Sequence, residues 1–390
     1  MKLKNILGII LLSALVNACN TSTQKSNTVV DTTGQTTQEE NTTPKVVVDE
    51  VATARARIMA GVALKNNAGY DSILNAPATQ EHYRQFNQSW AKLEESRLSK
   101  IRKWRESELK TLNSEKHNLF YPFSGPDFLN AYEFFPNCDN YILFGLEPNG
   151  RLVDIQNMPP DYLAGIRKAL NEIFERNYFI TSFMSNDLWG KGVLPVINIF
   201  MARTGNQIVD MKRFYLTKEG KPEFFALEDE NTGKGKVEGI MIEFLNENKD
   251  KSQKVYYFGT DVEDSKMKDK MELAAFIKSF PDKIAFLKSA SYILQNTTFQ
   301  TMLKLVLDET SAVLQDDTGV PYREFVKNGW DIQYYGKYAR PVADFGGYTY
   351  QSDMQRAFQD SANQVKPLDF TFGYHWKTDN SSVLLCTKKK

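Results

Sequence analysis

Five acids and one lysine–serine run carry the chemistry this chain of 390 residues could perform. Asp127 follows an expected strand, Glu147 ends the next, Asp261 ends a hairpin, and Asp316 and Asp317 end a later strand. If those strands are parallel and adjacent, all five carboxylates lie along one rim. Clustered carboxylates can hold a cation through oxygen ligands or share protons for acid–base work. Lys288, Ser289 and Ser291, in the run Lys288-Ser289-Ala290-Ser291-Tyr292, also sit where a strand ends. Loops at the C-terminal ends of parallel strands are where α/β folds bind ligands, and a lysine beside hydroxyls can move a proton. Each residue also has an ordinary role. Asp127 suits a helix start, the other acids suit turns, and the serines can bond to backbone at a helix start. Only the joint placement marks a site.

Other chemistries lack their residues. The three histidines, His82, His117 and His375, have no second His or Cys at ligand spacing, and HExxH and CxxC are absent, so no metal is expected. There is no GxSxG elbow and no Gly-rich phosphate loop. Ser265 and Lys268 satisfy SxxK, but they lie in a charged run without a KTG partner; Lys377-Thr378-Asp379 does not fit. Cys138 and Cys386 can pair in an oxidising compartment or be two buried small hydrophobes; spacing leaves both open. Charge is balanced, with 48 basic and 48 acidic residues, so electrostatic binding of nucleic acid is not expected.

The elements that must position the rim follow from periodicity. An α/β fold is expected: a mixed sheet with a βαβ start, inserted antiparallel hairpins and a long N-terminal helical segment. Residues 51–75 are helix-prone but broken at Asn67-Ala68-Gly69. From Thr79, a plausible N-cap, to about Leu112 one charged helix is expected, since Tyr83, Phe86, Trp90 and Leu93 recur at steps of three and four. Leu119–Phe123 reads as a strand. Gly125-Pro126 ends it and starts a helix rich in Phe and Tyr, and Tyr141–Leu146 is a second, fully apolar strand. The residues between suffice for a crossover, hence a βαβ unit. Asp161–Tyr178 is an amphipathic helix. Val193–Met201 and Gln207–Leu216 read as a hairpin about Thr204-Gly205-Asn206, and Lys218–Lys236 as a loop. Val237–Leu245 and Lys254–Gly259 form a second hairpin. A helix over about 264–280, strand Ile284–Leu287, helix Thr298–Asp308 and strand Ser311–Leu314 continue the α/β order. Pro321–Tyr338 reads as aromatic and irregular, Ser352–Asn363 as helical, and Asp369–Trp376 with Ser382–Thr387 as a closing hairpin.

The N-terminus, MKLKNILGIILLSALVNAC, has a basic start at Lys2 and Lys4, a short apolar run from Ile6 to Val16, and Ala18 before Cys19. The run is too short to favour a spanning helix and fits a secretory signal. Val16-Asn17-Ala18-Cys19 resembles a bacterial lipobox. The resemblance implies cleavage before Cys19, diacylation of its sulfur and anchorage in a membrane. Removing Lys2 and Lys4 leaves 46 basic against 48 acidic residues, a net charge of −2. Asn20 follows the cysteine, without the aspartate that suggests inner-membrane retention. The expected location is therefore the outer membrane, facing the periplasm, with surface display as the other orientation. The expected organisation is signal peptide 1–18, a disordered Thr/Asn/Gln-rich tether 19–50, a helical segment 51–118 packed on the body, and an α/β body 119–390.

The segments FYPFSGPDF, LFGLEP, LKSASYIL and QDDTGVPYR resemble recurring blocks of an uncharacterised family of exported bacterial proteins, over roughly 119–338. That resemblance implies no activity. The strand, Gly-containing turn, helix and strand ending in Glu147 also loosely resemble the start of nucleotide and S-adenosylmethionine binders. Only Gly125 lies in the turn, however, and Pro126 removes an N–H that would face a phosphate. No cofactor is expected. Two functions are open: a non-catalytic envelope protein binding a small ligand or protein partner at the rim, and a periplasmic hydrolase or transferase using the same residues.

Overall fold

A computed structural model describes residues 46–159, 161–179, 192–229, 237–341, 349–376 and 380–389. The lipobox, Cys19, and the tether up to residue 45 lie outside the described residues, as do Lys377-Thr378-Asp379.

Ten strands form one sheet. In chain order they are β1 (Asn118–Tyr121), β2 (Asn140–Gly145), β3 (Asn206–Leu216), β4 (Pro222–Ala226) and β5 (Glu238–Asn246). They continue as β6 (Gln253–Gly259), β7 (Lys283–Leu287), β8 (Thr310–Gln315), β9 (Asp331–Gly336) and β10 (Ser382–Thr387). Across the sheet the order is β4-β3-β5-β6-β2-β1-β7-β8-β10-β9. The five strands β6, β2, β1, β7 and β8 are parallel. Antiparallel strands extend both edges.

Parallel strands need cover on both faces, and these have it. Successive side chains alternate faces. Leu119, Tyr121, Tyr141, Leu143, Val255, Tyr257, Ile284 and Phe286 enter one core cluster. Phe120, Ile142, Phe144, Tyr256, Phe258, Ala285 and Leu287 enter the other. The helix between β1 and β2 (Phe128–Phe134) lies in the first cluster. The helix between β7 and β8 (Gln300–Glu309) lies in the second. The chain thus leaves β1 and β7, which are neighbours, toward opposite faces and opposite edges. This is the topological switch that opens a crevice at the C-terminal ends of strands.

The helical segment before the sheet breaks into Glu50–Met59, Asp71–Leu74, Pro77–Leu93, a π-helical turn at Glu94–Leu98, Ser99–Glu108 and Lys110–Ser114. Thr79 is not the N-cap. The helix begins at Pro77, whose missing N–H costs nothing there, and Thr79 is buried inside it. Phe86 meets Phe174 edge-on at 5.5 Å, and Trp104 packs edge-on against Phe134, Tyr335 and Phe370.

Several expected elements differ. The expected strand Val193–Met201 is a helix, Leu194–Arg203, buried along most of its length. A short, wholly apolar run cannot separate a buried helix from a buried strand, and here burial on all sides selects the helix. The expected loop 218–236 contains β4, which pairs with β3. The stretch expected to be irregular, 321–338, holds the helix Tyr322–Lys327 and β9. β10 does not pair with residues 369–376; it lies between β8 and β9. The helix over 264–280 divides into Asp264–Met267 and Met271–Ser279. Cys138 and Cys386 are free and buried, in the clusters on opposite faces of the sheet.

Trp104 ties the helical segment to the aromatic core. Trp104→Ala is expected to cost about 3–5 kcal/mol, read as a lowered midpoint in urea unfolding.

Candidate functional site at the ends of the parallel strands

The site is built from the turns that follow β1, β2, β6, β7 and β8. After β1 the chain reverses sharply: Phe123 and Gly125 both take left-handed φ, 62° and 53°. Ser124 locks the turn, donating to the Phe144 carbonyl at 3.1 Å and accepting from its amide at 3.0 Å. Asp127 then caps the helix Phe128–Phe134, accepting from the Asn130 amide at 3.2 Å. The capping role read from sequence is therefore real, but it uses one oxygen. The other carboxylate oxygen, Oδ2, lies 2.6 Å from Lys288 Nζ, and both side chains are about 2% exposed. Tyr121 donates to the same oxygen at 3.1 Å, and Lys288 also donates to the Asn177 carbonyl at 2.6 Å. Burial pulls the lysine pKa below its usual range, with Asp127 opposing the pull. Burial and the Asp127 charge push the Tyr121 hydroxyl well up, so it stays a donor.

Ser289 follows in a left-handed conformation, φ 57°, which is strained for a residue with a Cβ. Asp316 holds it there, its Oδ2 accepting the Ser289 amide at 2.9 Å. The Ser289 hydroxyl is buried and has no hydrogen-bond partner among the described residues. Ser291 is different. Its hydroxyl accepts the Lys288 amide at 3.1 Å, the ordinary backbone-bonding role.

Glu147 is buried and folds back over the end of β2, where Tyr257 donates to its carboxylate at 3.2 Å and its carbonyl at 2.9 Å. Gly145 permits this; a Cβ there would stand 2.3 Å from Glu147 Oε2.

These groups face two cavities. One, of about 60 Å³, is lined by Tyr121, Asp127, Tyr178, Lys288, Ser289 and Tyr374 among others. The other, of about 160 Å³, is mostly apolar, with Phe144, Val262, Ile293 and Phe299, and carries Asp261 at its edge. Phe123, Gly125, Glu147 and Ala290 line both, so the two share a wall. Tyr178 and Tyr374 meet edge-on at 5.0 Å beside the smaller one.

The tandem acids divide. Asp316 turns toward Ser289 and also accepts from the Thr318 amide at 2.9 Å and the Thr318 hydroxyl. Asp317 turns to His375, 3.2 Å away, and lines neither cavity. Burial and the adjacent Asp317 push the Asp316 carboxyl up to about 6. Burial disfavours the His375 imidazolium, but the Asp317 hydrogen bond and charge outweigh it and the pKa rises. Of the eight expected rim residues, five line a cavity: Asp127, Glu147, Asp261, Lys288 and Ser289. Asp316 and Ser291 instead bond to the backbone amides of Ser289 and Lys288, and Asp317 faces His375.

Sequence reasoning missed Tyr121, Asn130, Asn177, Tyr178, Tyr257, Tyr374 and His375. Asn130 was findable, three residues after a capping aspartate. The others arrive from distant segments and carry no local signal. Among the described residues, no group of three or more His, Cys, Asp or Glu could hold a metal, and no helix is long and apolar enough to cross a membrane. No protein-family model and no curated protein matches the chain.

Two outcomes test this geometry. Lys288→Met leaves a carboxylate buried without its cation and is expected to cost about 3–5 kcal/mol. Combining it with Asp127→Leu in a double-mutant cycle should return a coupling energy of about 1 kcal/mol or more. For Asp316, folding raises the pKa from 3.8 to about 6. The folded state therefore binds more protons between those values, and this group's contribution is complete at low pH and lost as pH rises through about 6. Relative to wild type, Asp316→Asn should gain stability from pH 4 to pH 7, measured as the difference in thermal midpoint. A constant difference would contradict the raised pKa.

Proposed function

We propose that this chain is an exported lipoprotein, anchored in a bacterial outer membrane through lipid on Cys19, whose α/β body holds a small ligand in the crevice. The anchorage rests on the lipobox resemblance. Ligand binding rests on one observation: at the switch between β1 and β7, a buried ion pair and a serine hydroxyl with no partner among the described residues line the same cavity. Ligand sites are concave, mostly apolar and furnished with a few placed polar groups. Lys288 argues for binding over catalysis, because its ammonium is engaged by Asp127 and the Asn177 carbonyl and is not available as a base.

A second reading, hydrolase or transferase, is favoured by Ser289 alone. A serine forced into a strained turn after a parallel strand is how some α/β enzymes present a nucleophile.

Ala290 lines both cavities and takes no part in the ion pair. Ala290→Phe should fill the shared space. Small molecules extracted from purified wild-type protein and identified by mass spectrometry should be absent from the variant. Equal recovery from both would exclude the crevice. For the anchor, Cys19→Ser should abolish incorporation of labelled palmitate; retained label would refute lipidation at that residue.

A further inference from the structure

We propose a second ligand site, independent of the crevice, for a small organic anion: a carboxylate or phosphate on an apolar body, received by Arg97. A cavity of about 710 Å³ is lined by the π-helical turn, by Lys100, by the end of the helix Tyr162–Arg176 and by residues 367–371, among others. That size suits an organic ligand. It shares no lining residue with either crevice cavity. Arg97 is about 5% exposed. Its guanidinium donates to the carbonyls of Ile173 at 3.4 Å and Glu175 at 3.1 Å, and among the described residues it forms no ion pair and its Nε has no hydrogen-bond partner. Asp127 attracts it only through space, and Lys288 repels it. Burial pulls its pKa down to about 10, which leaves it charged at neutral pH. A buried cation held by carbonyls alone is costly, and an oxyanion that matches its planar fork offsets that cost.

The other lining charges sort by depth. Lys100, one helical turn beyond Arg97, is half-buried, while Glu175, Lys337 and Asp369 are exposed. Water and salt screen the exposed three, so the charge felt inside is positive. Two like charges one turn apart also repel, and an anion between them removes that repulsion. The walls favour an anion with an apolar body over a bare ion. Phe174, Leu368, Phe370 and Trp376 all line the cavity, and aromatic walls of this kind take a ring edge-on or offset.

The test titrates the full chain at pH 7 by calorimetry with four probes that share one apolar body: 3-phenylpropionate, 3-phenylpropyl phosphate, 3-phenyl-1-propanol and 3-phenylpropylamine. At least one anion should bind roughly tenfold or more tighter than the alcohol, the tighter of the two naming the head group, and the amine should not bind. Arg97→Gln keeps a donor for the carbonyls but removes the charge, and should weaken the anion by roughly tenfold to a hundredfold. Lys100→Glu reverses a half-buried charge that holds no other element in place. It should weaken the anion by about tenfold or more with the thermal midpoint unchanged, so the test does not depend on how well Arg97→Gln folds. Ala290→Phe, in the crevice, should leave anion binding unchanged. If the alcohol or the amine binds as tightly as the anions, if none of the four binds, or if Lys100→Glu has no effect, the assignment is overturned. If Ala290→Phe abolishes anion binding, the anion sits in the crevice, and the second site falls while the crevice reading stands.

Discussion

The ion pair between Asp127 and Lys288 is the contact on which the site depends. It joins the turn after β1 to the turn after β7, the two neighbouring strands from which the chain departs in opposite directions. A switch point separates the following helices onto opposite faces, so nothing in the backbone itself closes the gap between those turns. The salt bridge spans it. Two charges at 2% exposure are stable only when their remaining donors and acceptors are used. Tyr121, Asn130 and the Asn177 carbonyl use them. The same contacts fix where Ser289 must lie, because it follows Lys288 directly.

Around that pair the backbone accepts strain. Phe123 and Ser289 both adopt left-handed φ without being glycine, one on each side of the gap. Each is over-determined by its surroundings. Ser124 clamps the first turn to β2, and Asp316 anchors the second through the Ser289 amide. Strained residues of this kind cluster where side chains must be aimed rather than merely packed. The left-handed turn also leaves the Ser289 hydroxyl without a partner among the described residues. Counted among the parallel strands alone, the order β6-β2-β1-β7-β8 runs third, second, first, fourth, fifth, which is the doubly wound order without its last strand. The turn that would cradle a phosphate in that fold here carries Pro126 and a buried aspartate instead.

Much of the sheet was legible because its strands are locally distinct. β1, β2, β6, β7 and β8 are short apolar runs bounded by polar turns, and the crossover from β1 to β2 was readable from Gly125-Pro126 and the apolar helix that follows. Leu194–Arg203 was misread because a run buried on every side shows no periodicity. β10 was expected as a strand with the bounds it has but with the wrong partner, and β9 fell in a stretch read as irregular, because pairing partners far apart in sequence carry no mark of one another; β10 sits between β8 and β9 through register with both. The rim was legible to the extent that it depends on strand ends. Asp127, Glu147, Asp261, Lys288 and Ser289 were all named from that rule, whereas Asp317 and Ser291 end strands or turns yet point elsewhere.

Residue types, spacing and local periodicity alone determined the α/β class, the βαβ start and the set of carboxylates and lysine near the strand ends. These are short-range properties: an apolar run seeks cover and a Gly-Pro pair ends a strand. Tertiary structure alone decided which carboxylate meets the lysine, which way tandem Asp316 and Asp317 turn, and that Tyr121, Tyr178, Tyr374 and His375 join them. Those outcomes depend on through-space distances of a few ångströms between residues far apart in the chain. A hydrogen bond or ion pair changes from strong to absent over that range, so no pattern in sequence can stand in for the packed sheet that sets it.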